Sequence, residues 1–159
     1  MGCALCTSNN SLCLSVADSS FEAEFLQTHN AYRRQHGAPP LTINKNLCRS
    51  SQEWAEHLLS IRTLMHSNGE YGENVYYAWS SANKRLTGHF TQVVWKDTNE
   101  VGVGLATDGN TTFVVGQYLP AGNISNAGYF ERNVLPAAPR KSQCPQSSSS
   151  EGKQSKQTL

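Results

Sequence analysis

The apolar periodicity of the sequence changes near Met65, and this change most constrains the fold. Before Met65, apolar residues recur at the three- and four-residue spacing of amphipathic helices. After it, short β-prone segments are separated by glycines and polar turns. Helices followed by strands with a hairpin signal are typical of an α+β domain, and 159 residues suffice for one such domain with its own core.

Two helices are predicted in the first part of the chain. The first covers Asp18–Gln35, begins with a capping box and ends at Gly37, which precedes two prolines. The second covers Asn46–Leu64, with Asn44 as its N-cap. The buried side of the first helix is predicted to carry His29, Tyr32 and Arg33. These residues are expected to pack and hydrogen-bond in the core rather than to take part in catalysis or binding. The apolar face of the second helix is predicted to comprise Leu47, Trp54, Leu58 and Ile61.

Three strands are predicted after the helices, and they cover Val75–Trp79, Val101–Ala106 and Thr111–Leu119. The pair Asp108-Gly109 separates the last two strands, and an Asp-Gly pair between β-prone segments is a strong hairpin signal. The sheet is therefore expected to be antiparallel. Three tryptophans are expected to lie in the core: Trp54, Trp79 and Trp95.

Composition divides the chain into a leader (1–17), a domain (18–136) and a Ser-rich tail (137–159). The leader and the tail have little apolar surface to bury, so both are expected to be disordered. The leader lacks the basic segment and continuous apolar core of a signal peptide. It begins Met-Gly-Cys, which would allow myristoylation of Gly2 and palmitoylation of Cys3, and two acyl chains anchor a protein stably. A leader without lipid is the open alternative, because the sixth residue is a cysteine where the myristoylation pattern has Ser or Thr.

Charge and cysteine content argue against several classes of protein. The chain has 13 Lys and Arg against 12 Asp and Glu, with no basic run, so we do not expect nucleic acid as a partner. No stretch approaches the roughly 18 apolar residues of a membrane span. Of the five cysteines only Cys48 falls within the predicted domain, which favours a buried thiol in a reducing compartment over a disulfide framework. The sequons at Asn9, Asn110 and Asn123 would matter only after secretion.

Candidate chemistry is concentrated in two histidines and one glutamate. His89 lies at the start of an apolar segment that ends in a tryptophan, and His66 lies shortly before Glu73. Two neutral imidazoles and a carboxylate are a familiar set of zinc ligands. Spacing alone does not distinguish such ligands from general bases or from histidines that serve structure.

Four segments identify a family likeness: His29–Arg33, Gly72–Val75, Gly88–Trp95 and Phe113–Ile124. In this order they resemble signatures of the CAP superfamily, which comprises cysteine-rich secretory proteins, antigen 5 and pathogenesis-related proteins. The likeness extends over residues 21–135 and is greatest to Golgi-associated members on the cytosolic face. It implies an α-β-α sandwich, in which a three-stranded antiparallel sheet lies between helical layers and borders a broad cleft.

The resemblance also implies a metal site, because the family's cleft carries two histidines and two glutamates that can hold a divalent ion. By motif, the histidines are His66 and His89, and one glutamate is Glu73. The other glutamate belongs to a helix between the second and third motifs. Only the thirteen residues Val75–Thr87 separate these motifs here, and none is acidic. The resemblance therefore implies a shortened helical layer and a weakened zinc site, unless Glu70 or water supplies the missing ligand.

The function implied by the resemblance is that of a non-enzymatic, lipid-anchored protein on the cytosolic face of Golgi or related membranes. Its partners would be membrane lipids, anionic ones in particular, and proteins, a second copy included. The alternative is a secreted, extracellular CAP protein in defence or reproduction, but secreted members have a disulfide cysteine at the place of Gly116. A third hypothesis is a hydrolase with His89 as base, Glu73 orienting it, and Ser80 or Ser81 as nucleophile.

Overall fold

The computed structural model describes residues 19–79 and 88–139. The predicted leader, with Gly2 and Cys3, lies outside the described residues, as do Ser80, Ser81 and most of the tail. In the described ranges, no helix is long and apolar enough to cross a membrane. The elements are α1 (Ser19–Gln35), β1 (Thr42–Ile43), α2 (Lys45–Ile61), β2 (Gly72–Trp79), α3 (Gly88–Val93), β3 (Glu100–Thr107), β4 (Thr111–Leu119) and α4 (Tyr129–Asn133).

The α+β class is confirmed, and the sheet has the strand order β1-β3-β4-β2. Strands β3 and β4 form the antiparallel hairpin predicted from Asp108-Gly109, and β2 pairs antiparallel with β4 at one edge. The prediction of only three strands was wrong, because the two-residue strand β1 pairs in parallel with β3 at the other edge. The backbone amides of Thr42 and Asn44 donate to the oxygens of Asn99 and Val101 there. So short a strand has no periodicity of its own, and only its neighbour defines it.

Helix α2 lies directly on one face of the sheet. A Cβ atom on Gly102 would lie 2.3 Å from the Cys48 backbone nitrogen, and one on Gly104 would lie 2.3 Å from that of Gln52. The two glycines therefore let the helix backbone approach β3 closely. Cys48 is free and buried in this contact, as predicted. The core beside it consists of Ala55, Leu58, Leu59, Val75, Ala106, Phe113 and Val115.

The ends of α2 match the predictions in part. The Oδ1 atom of Asn44 accepts hydrogen bonds from the amides of Asn46 and Leu47, which confirms the N-cap. The predicted end at Leu64 was wrong, since the helix ends at Ile61 and Arg62 is left-handed with φ 51°. Ile61 is 41% exposed, so its predicted place on the buried face was also wrong. Arg62 instead pairs with the Asp108 carboxylate at 2.7 Å, a contact 46 residues away in sequence.

Helices α1 and α3 cover part of the other face of the sheet. His29 and Arg33 are buried there, as predicted, and Trp95 is fully buried beyond the end of α3. Tyr32 was predicted to be buried but is 46% exposed, and its ring meets that of Phe90 edge-on. Tyr32 therefore lies on the rim between α1 and α3, and an i, i+3 spacing alone does not separate such a rim from the core.

Candidate metal-binding cleft

The centre of the candidate site is the carboxylate of Glu73, on the edge strand β2. Its side chain is only 6% exposed, whereas that of His66 is 67% exposed. His66 Nδ1 lies 2.9 Å from Glu73 Oε1, which also accepts from the Ser67 amide at 2.9 Å. Glu73 Oε2 accepts from the Ser67 hydroxyl at 2.6 Å and from Gln117 Nε2 at 3.2 Å. Four protein donors therefore occupy the lone-pair positions of this carboxylate.

The contact with Glu73 orients the His66 ring. Because an ionised carboxylate can only accept hydrogen bonds, Nδ1 carries the proton and donates it. In the neutral ring Nε2 then keeps its lone pair, which makes it the available ligand atom. A carboxylate behind a histidine in this way fixes the tautomer and the orientation of the ring. His66 is thus arranged as a metal-binding histidine would be.

His89, the second residue of α3, lies near His66. Burial and the nearby charge of His66 lower the pKa of the His89 ring below its ordinary value. Among residues 19–79 and 88–139, this ring has no hydrogen-bond partner. The backbone oxygen of His89 accepts from Asn74 Nδ2 at 3.0 Å, which ties α3 to β2. The three residues predicted for the site are therefore brought to the same edge of the sheet.

The donor set fits a metal only in part. Within the described ranges, no group of three or more His, Cys, Asp or Glu side chains is placed to hold an ion. His66 and His89 would supply two nitrogen ligands, and Glu73 fits as the carboxylate that orients His66 because its oxygens already bind protein donors. Glu70 is exposed and makes no hydrogen bond with these residues. Water would have to complete the coordination of a zinc ion here.

The hydrolase hypothesis required Glu73 to orient His89, and on this point it was wrong. Glu73 contacts His66 instead of His89. The hydroxyl of Ser67, which lies at the site, donates to Glu73 rather than to an imidazole. A nucleophile activated by histidine needs that Ser–His contact. Ser80 and Ser81 lie outside the described residues.

A buried hydrogen-bonded relay next to the cleft was missed from the sequence. His29 Nδ1 donates to the oxygen of Phe25 at 2.8 Å, and Tyr118 donates its hydroxyl to His29 Nε2 at 2.8 Å. Asn74 Nδ2 donates to the Tyr118 oxygen at 3.2 Å and to that of His89. Burial lowers the pKa of His29 to about 4 and raises that of Tyr118. His29, Asn74, His89 and Tyr118 each lie within one of the four signature segments, but nothing in the sequence paired them.

The fold is that of CAP proteins, and the chain belongs to the family described as CAP, the cysteine-rich secretory protein family. The family profile matches residues 26–85 and 64–118. The chain is 43% identical over 148 residues to Golgi-associated plant pathogenesis-related protein 1 of Homo sapiens, covering 76% of this chain and 96% of the human protein.

Two further comparisons support the same assignment. Pathogenesis-related protein 1C of Nicotiana tabacum is 30% identical over 129 residues, which cover 65% of this chain and 77% of the plant protein. Among solved structures, that of BmVAL-1 superposes with a TM-score of 0.55 at 21% identity, covering 67% of this chain and 80% of the other. This structural likeness shows the fold.

The alignment with the human protein also bears on the missing segment. It extends over 148 positions, and 76% of the 159 residues of this chain is about 121, so about 27 positions have no residue of this chain. A deficit of that size equals a helix with its connections. The deficit agrees with the expectation that a segment of helix length is missing. The location of the missing segment, between the second and third motifs, is inferred from the sequence alone.

Proposed function

We propose that this chain is a non-enzymatic CAP protein of the cytosolic face of Golgi or related membranes. The observation that carries the proposal is its 43% identity over nearly the whole length of a human protein named for its Golgi association. Acyl chains on Gly2 and Cys3 would hold it there, since two chains bind stably where one binds reversibly. Its partners would be anionic membrane lipids and proteins, a second copy included.

The absence of catalysis is proposed from the contacts of the cleft. Within the described ranges, the Ser67 hydroxyl donates to Glu73 and not to a histidine, and Glu73 bonds to His66 rather than to His89. General-base activation of a nucleophile requires the base to accept its proton directly or through one water. The arrangement instead supports a cleft that binds.

We further propose that the cleft binds a divalent ion such as zinc weakly, through His66 and His89. A bound zinc ion would supply a positive charge that links the loop before β2 to α3. Glu73 would orient His66, and Ser67 and Gln117 would hold Glu73 in place. Two protein ligands are fewer than the three or four of typical zinc sites, so the affinity should be lower than in relatives with a complete set.

Membrane attachment is tested with the full chain expressed in cells. We expect the wild type in the Golgi membrane fraction with a mass increase at Gly2, and Gly2→Ala in the soluble fraction. Ser8→Ala, in the same leader, is the matched control and should remain bound. A Gly2→Ala variant that stays on membranes would refute the lipid anchor. N-linked glycan on Asn110 or Asn123, which are both exposed, would instead establish the secreted alternative.

The metal proposal is tested by calorimetric titration of the full chain with zinc. We expect weak binding that disappears in His66→Ala and in His89→Ala, and that falls about 10- to 100-fold in Glu73→Gln because the orienting carboxylate is lost. Glu70→Gln, in the same loop, is the control and should bind like the wild type. Equal binding by His66→Ala and the wild type would show that the ion binds elsewhere.

A further inference from the structure

The sequence contains one Asn-Gly pair, Asn68-Gly69, and it lies in the segment between α2 and β2. Both residues are exposed, and neither belongs to a helix or a strand. An asparagine that precedes glycine loses its side-chain amide most readily, because glycine has no Cβ atom to obstruct its own backbone nitrogen. The pair is therefore a candidate site of covalent change.

This reaction requires that the Gly69 nitrogen and the Asn68 side chain be free to meet. In the described parts of the chain, neither the Asn68 side chain nor the Gly69 amide takes part in a hydrogen bond. Regular secondary structure would hold the two groups apart, and the pair lies outside it. No hydrogen bond to a described residue therefore has to break before the nitrogen reaches the side-chain carbonyl.

Asp108-Gly109 is the corresponding Asp-Gly pair, and the fold restrains it. The Gly109 amide donates to Thr107 Oγ1 at 3.1 Å. Asp108 Oδ1 accepts from the Thr111 amide at 2.8 Å, and Oδ2 accepts from Arg62 at 2.7 Å. The hydrogen bond from Thr111 is the main cause that holds the pKa of Asp108 below its ordinary value, and an ionised carboxylate is a poor electrophile. The two pairs are alike in sequence but differ in their restraint.

Packing favours glycine at position 69. A Cβ atom there would lie 2.0 Å from Cε2 of the Tyr71 ring, and the Tyr71 hydroxyl lies 3.3 Å from Ser50 Oγ on α2. A side chain at position 69 would therefore displace this ring. The residue that makes Asn68 reactive is thus required by the packing of the loop.

The position of Ser67 gives the reaction a structural consequence. Ser67 directly precedes Asn68, and its amide and hydroxyl donate to Glu73 at 2.9 and 2.6 Å. One product of the reaction is isoaspartate, in which the main chain runs through Cβ and Cγ and is longer by one methylene group. This lengthening would begin one residue after the contact that ties the loop to β2.

We propose that Asn68 of the folded protein deamidates spontaneously, and that its isoaspartate product weakens the contact between Ser67 and Glu73. The Gly69 nitrogen forms a bond to Cγ of Asn68 while the Cγ–Nδ2 bond breaks, and the Gly69 amide proton leaves with Nδ2 as ammonia. Water then opens the succinimide at either carbonyl, which gives aspartate or isoaspartate. The proposal depends neither on the membrane anchor nor on a bound metal.

The first test is incubation of the purified full chain in mildly alkaline buffer, with and without urea. Peptide mapping and labelling by an isoaspartyl methyltransferase locate the products. In the folded protein we expect conversion at Asn68 and none at Asp108, whereas in urea both positions should convert because the contacts of Asp108 are lost. Asn68→Gln should stay unconverted, since glutamine must close a larger ring.

Two outcomes of this incubation would overturn the proposal. One is an intact Asn68 in the folded protein after the same time in which it converts in urea. The other is as much isoaspartate at Asp108 as at Asn68 in the folded protein, because the restraint by the fold would then have no effect.

The structural consequence is tested by hydrogen exchange of the Ser67 amide in the isoaspartate fraction, isolated by chromatography. We expect exchange about two- to tenfold faster than in fresh protein, which is the effect of losing one hydrogen bond. Asn68→Asp adds the charge at an exposed, solvent-screened position without lengthening the main chain, and should exchange like fresh protein. Unchanged exchange in the isoaspartate fraction would overturn the weakened contact, and so would equally fast exchange in Asn68→Asp.

Discussion

Nη1 of Arg33 lies 2.8 Å from the backbone oxygen of Trp95, and this contact joins α1 to the segment after α3. The same guanidinium donates to the backbone oxygens of three other residues and is fully buried. In the described part of the chain, no carboxylate bonds to it. Burial lowers the pKa of Arg33 to about 10, so the group is still charged at neutral pH and is solvated by carbonyl dipoles. Arg33 thus positions the helix that carries His89.

Replacing Arg33 should destabilise the fold strongly. Arg33→Met removes the guanidinium donors from four backbone oxygens, of which that of Trp95 still accepts from the Thr98 amide, and we expect the free energy of unfolding to fall by about 3 kcal/mol or more. Arg33→Lys keeps the charge but not the planar fork, so the loss should be smaller, about 1–2 kcal/mol. Urea denaturation measures both. The exposed neighbour provides the control, since Arg34→Lys should change stability by less than about 0.5 kcal/mol. An unchanged midpoint in Arg33→Met would contradict this role.

The buried neutral ring of His29 should make stability depend on pH. The pKa of His29 is about 4 in the folded state, against an ordinary value of 6.5 for the unfolded chain. Between pH 6.5 and pH 4 the unfolded chain binds more protons at this position than the folded protein does. The contribution of His29 to the free energy of unfolding is therefore complete above pH 6.5 and is lost as the pH falls toward 4. The loss for one such group is about 3 kcal/mol. Denaturation midpoints measured from pH 8 to 4 test this.

The matched variants for this experiment are His29→Gln and His57→Gln. His29→Gln should reduce the slope of stability between pH 6.5 and 4, because the titrating ring is gone. His57 is exposed, so His57→Gln should keep the wild-type slope. Equal slopes in the wild type and in His29→Gln would mean that other groups cause the pH dependence.

The close approach of α2 to β3 predicts that Gly102 and Gly104 cannot accept a side chain. A Cβ atom at either position would lie 2.3 Å from helix backbone atoms, so the whole helix must shift. We expect Gly102→Ala and Gly104→Ala to lower the free energy of unfolding by about 2–3 kcal/mol each. At Gly109 an added Cβ atom has no neighbour within 4 Å, so Gly109→Ala is unfavourable only because alanine must adopt a φ of 90°. We expect it to lower the free energy of unfolding by about 1 kcal/mol. Thermal unfolding compares the three, and a smaller effect at Gly102 than at Gly109 would argue against the contact.

The four hydrogen bonds accepted by Glu73 should hold the loop before β2 in place. In Glu73→Gln one carboxylate oxygen becomes an NH₂ donor, which faces the donors of Ser67 and His66. We expect a loss of about 2 kcal/mol and faster hydrogen exchange of the Ser67 amide. Glu70→Gln, at an exposed position in this loop, should leave the exchange rate unchanged. Slow exchange in Glu73→Gln would show that other contacts order the loop.

Several elements could be predicted because their causes are local in sequence. Strand β4 has the predicted bounds Thr111–Leu119, and the Asp-Gly pair before it forms the expected hairpin. Asn44 caps α2 through amides two and three residues away. Alternation of side chains and turn chemistry act within such short ranges.

Other features depend on residues far apart in the chain. Helix α2 ends at Ile61, and the next residue, Arg62, forms an ion pair with Asp108 in the β3–β4 turn. Strand β1 exists through its pairing with β3. The exposure of Tyr32 follows from the position of α3, which Arg33 fixes through distant backbone oxygens. Helical periodicity gives the face of a helix but not the neighbours that cover it.

The sequence by itself determined the fold class, the family, and the residues brought to the cleft, because periodicity, turn residues and motif order are properties of the chain alone. Only the tertiary structure decided what those residues do to one another. Glu73 bonds to His66 instead of His89, and among the described residues the His89 ring, which lines an apolar cavity, has no hydrogen-bond partner. Hydrogen bonding depends on distances of about 3 Å between atoms, which only the packing of α1, α3 and the sheet defines.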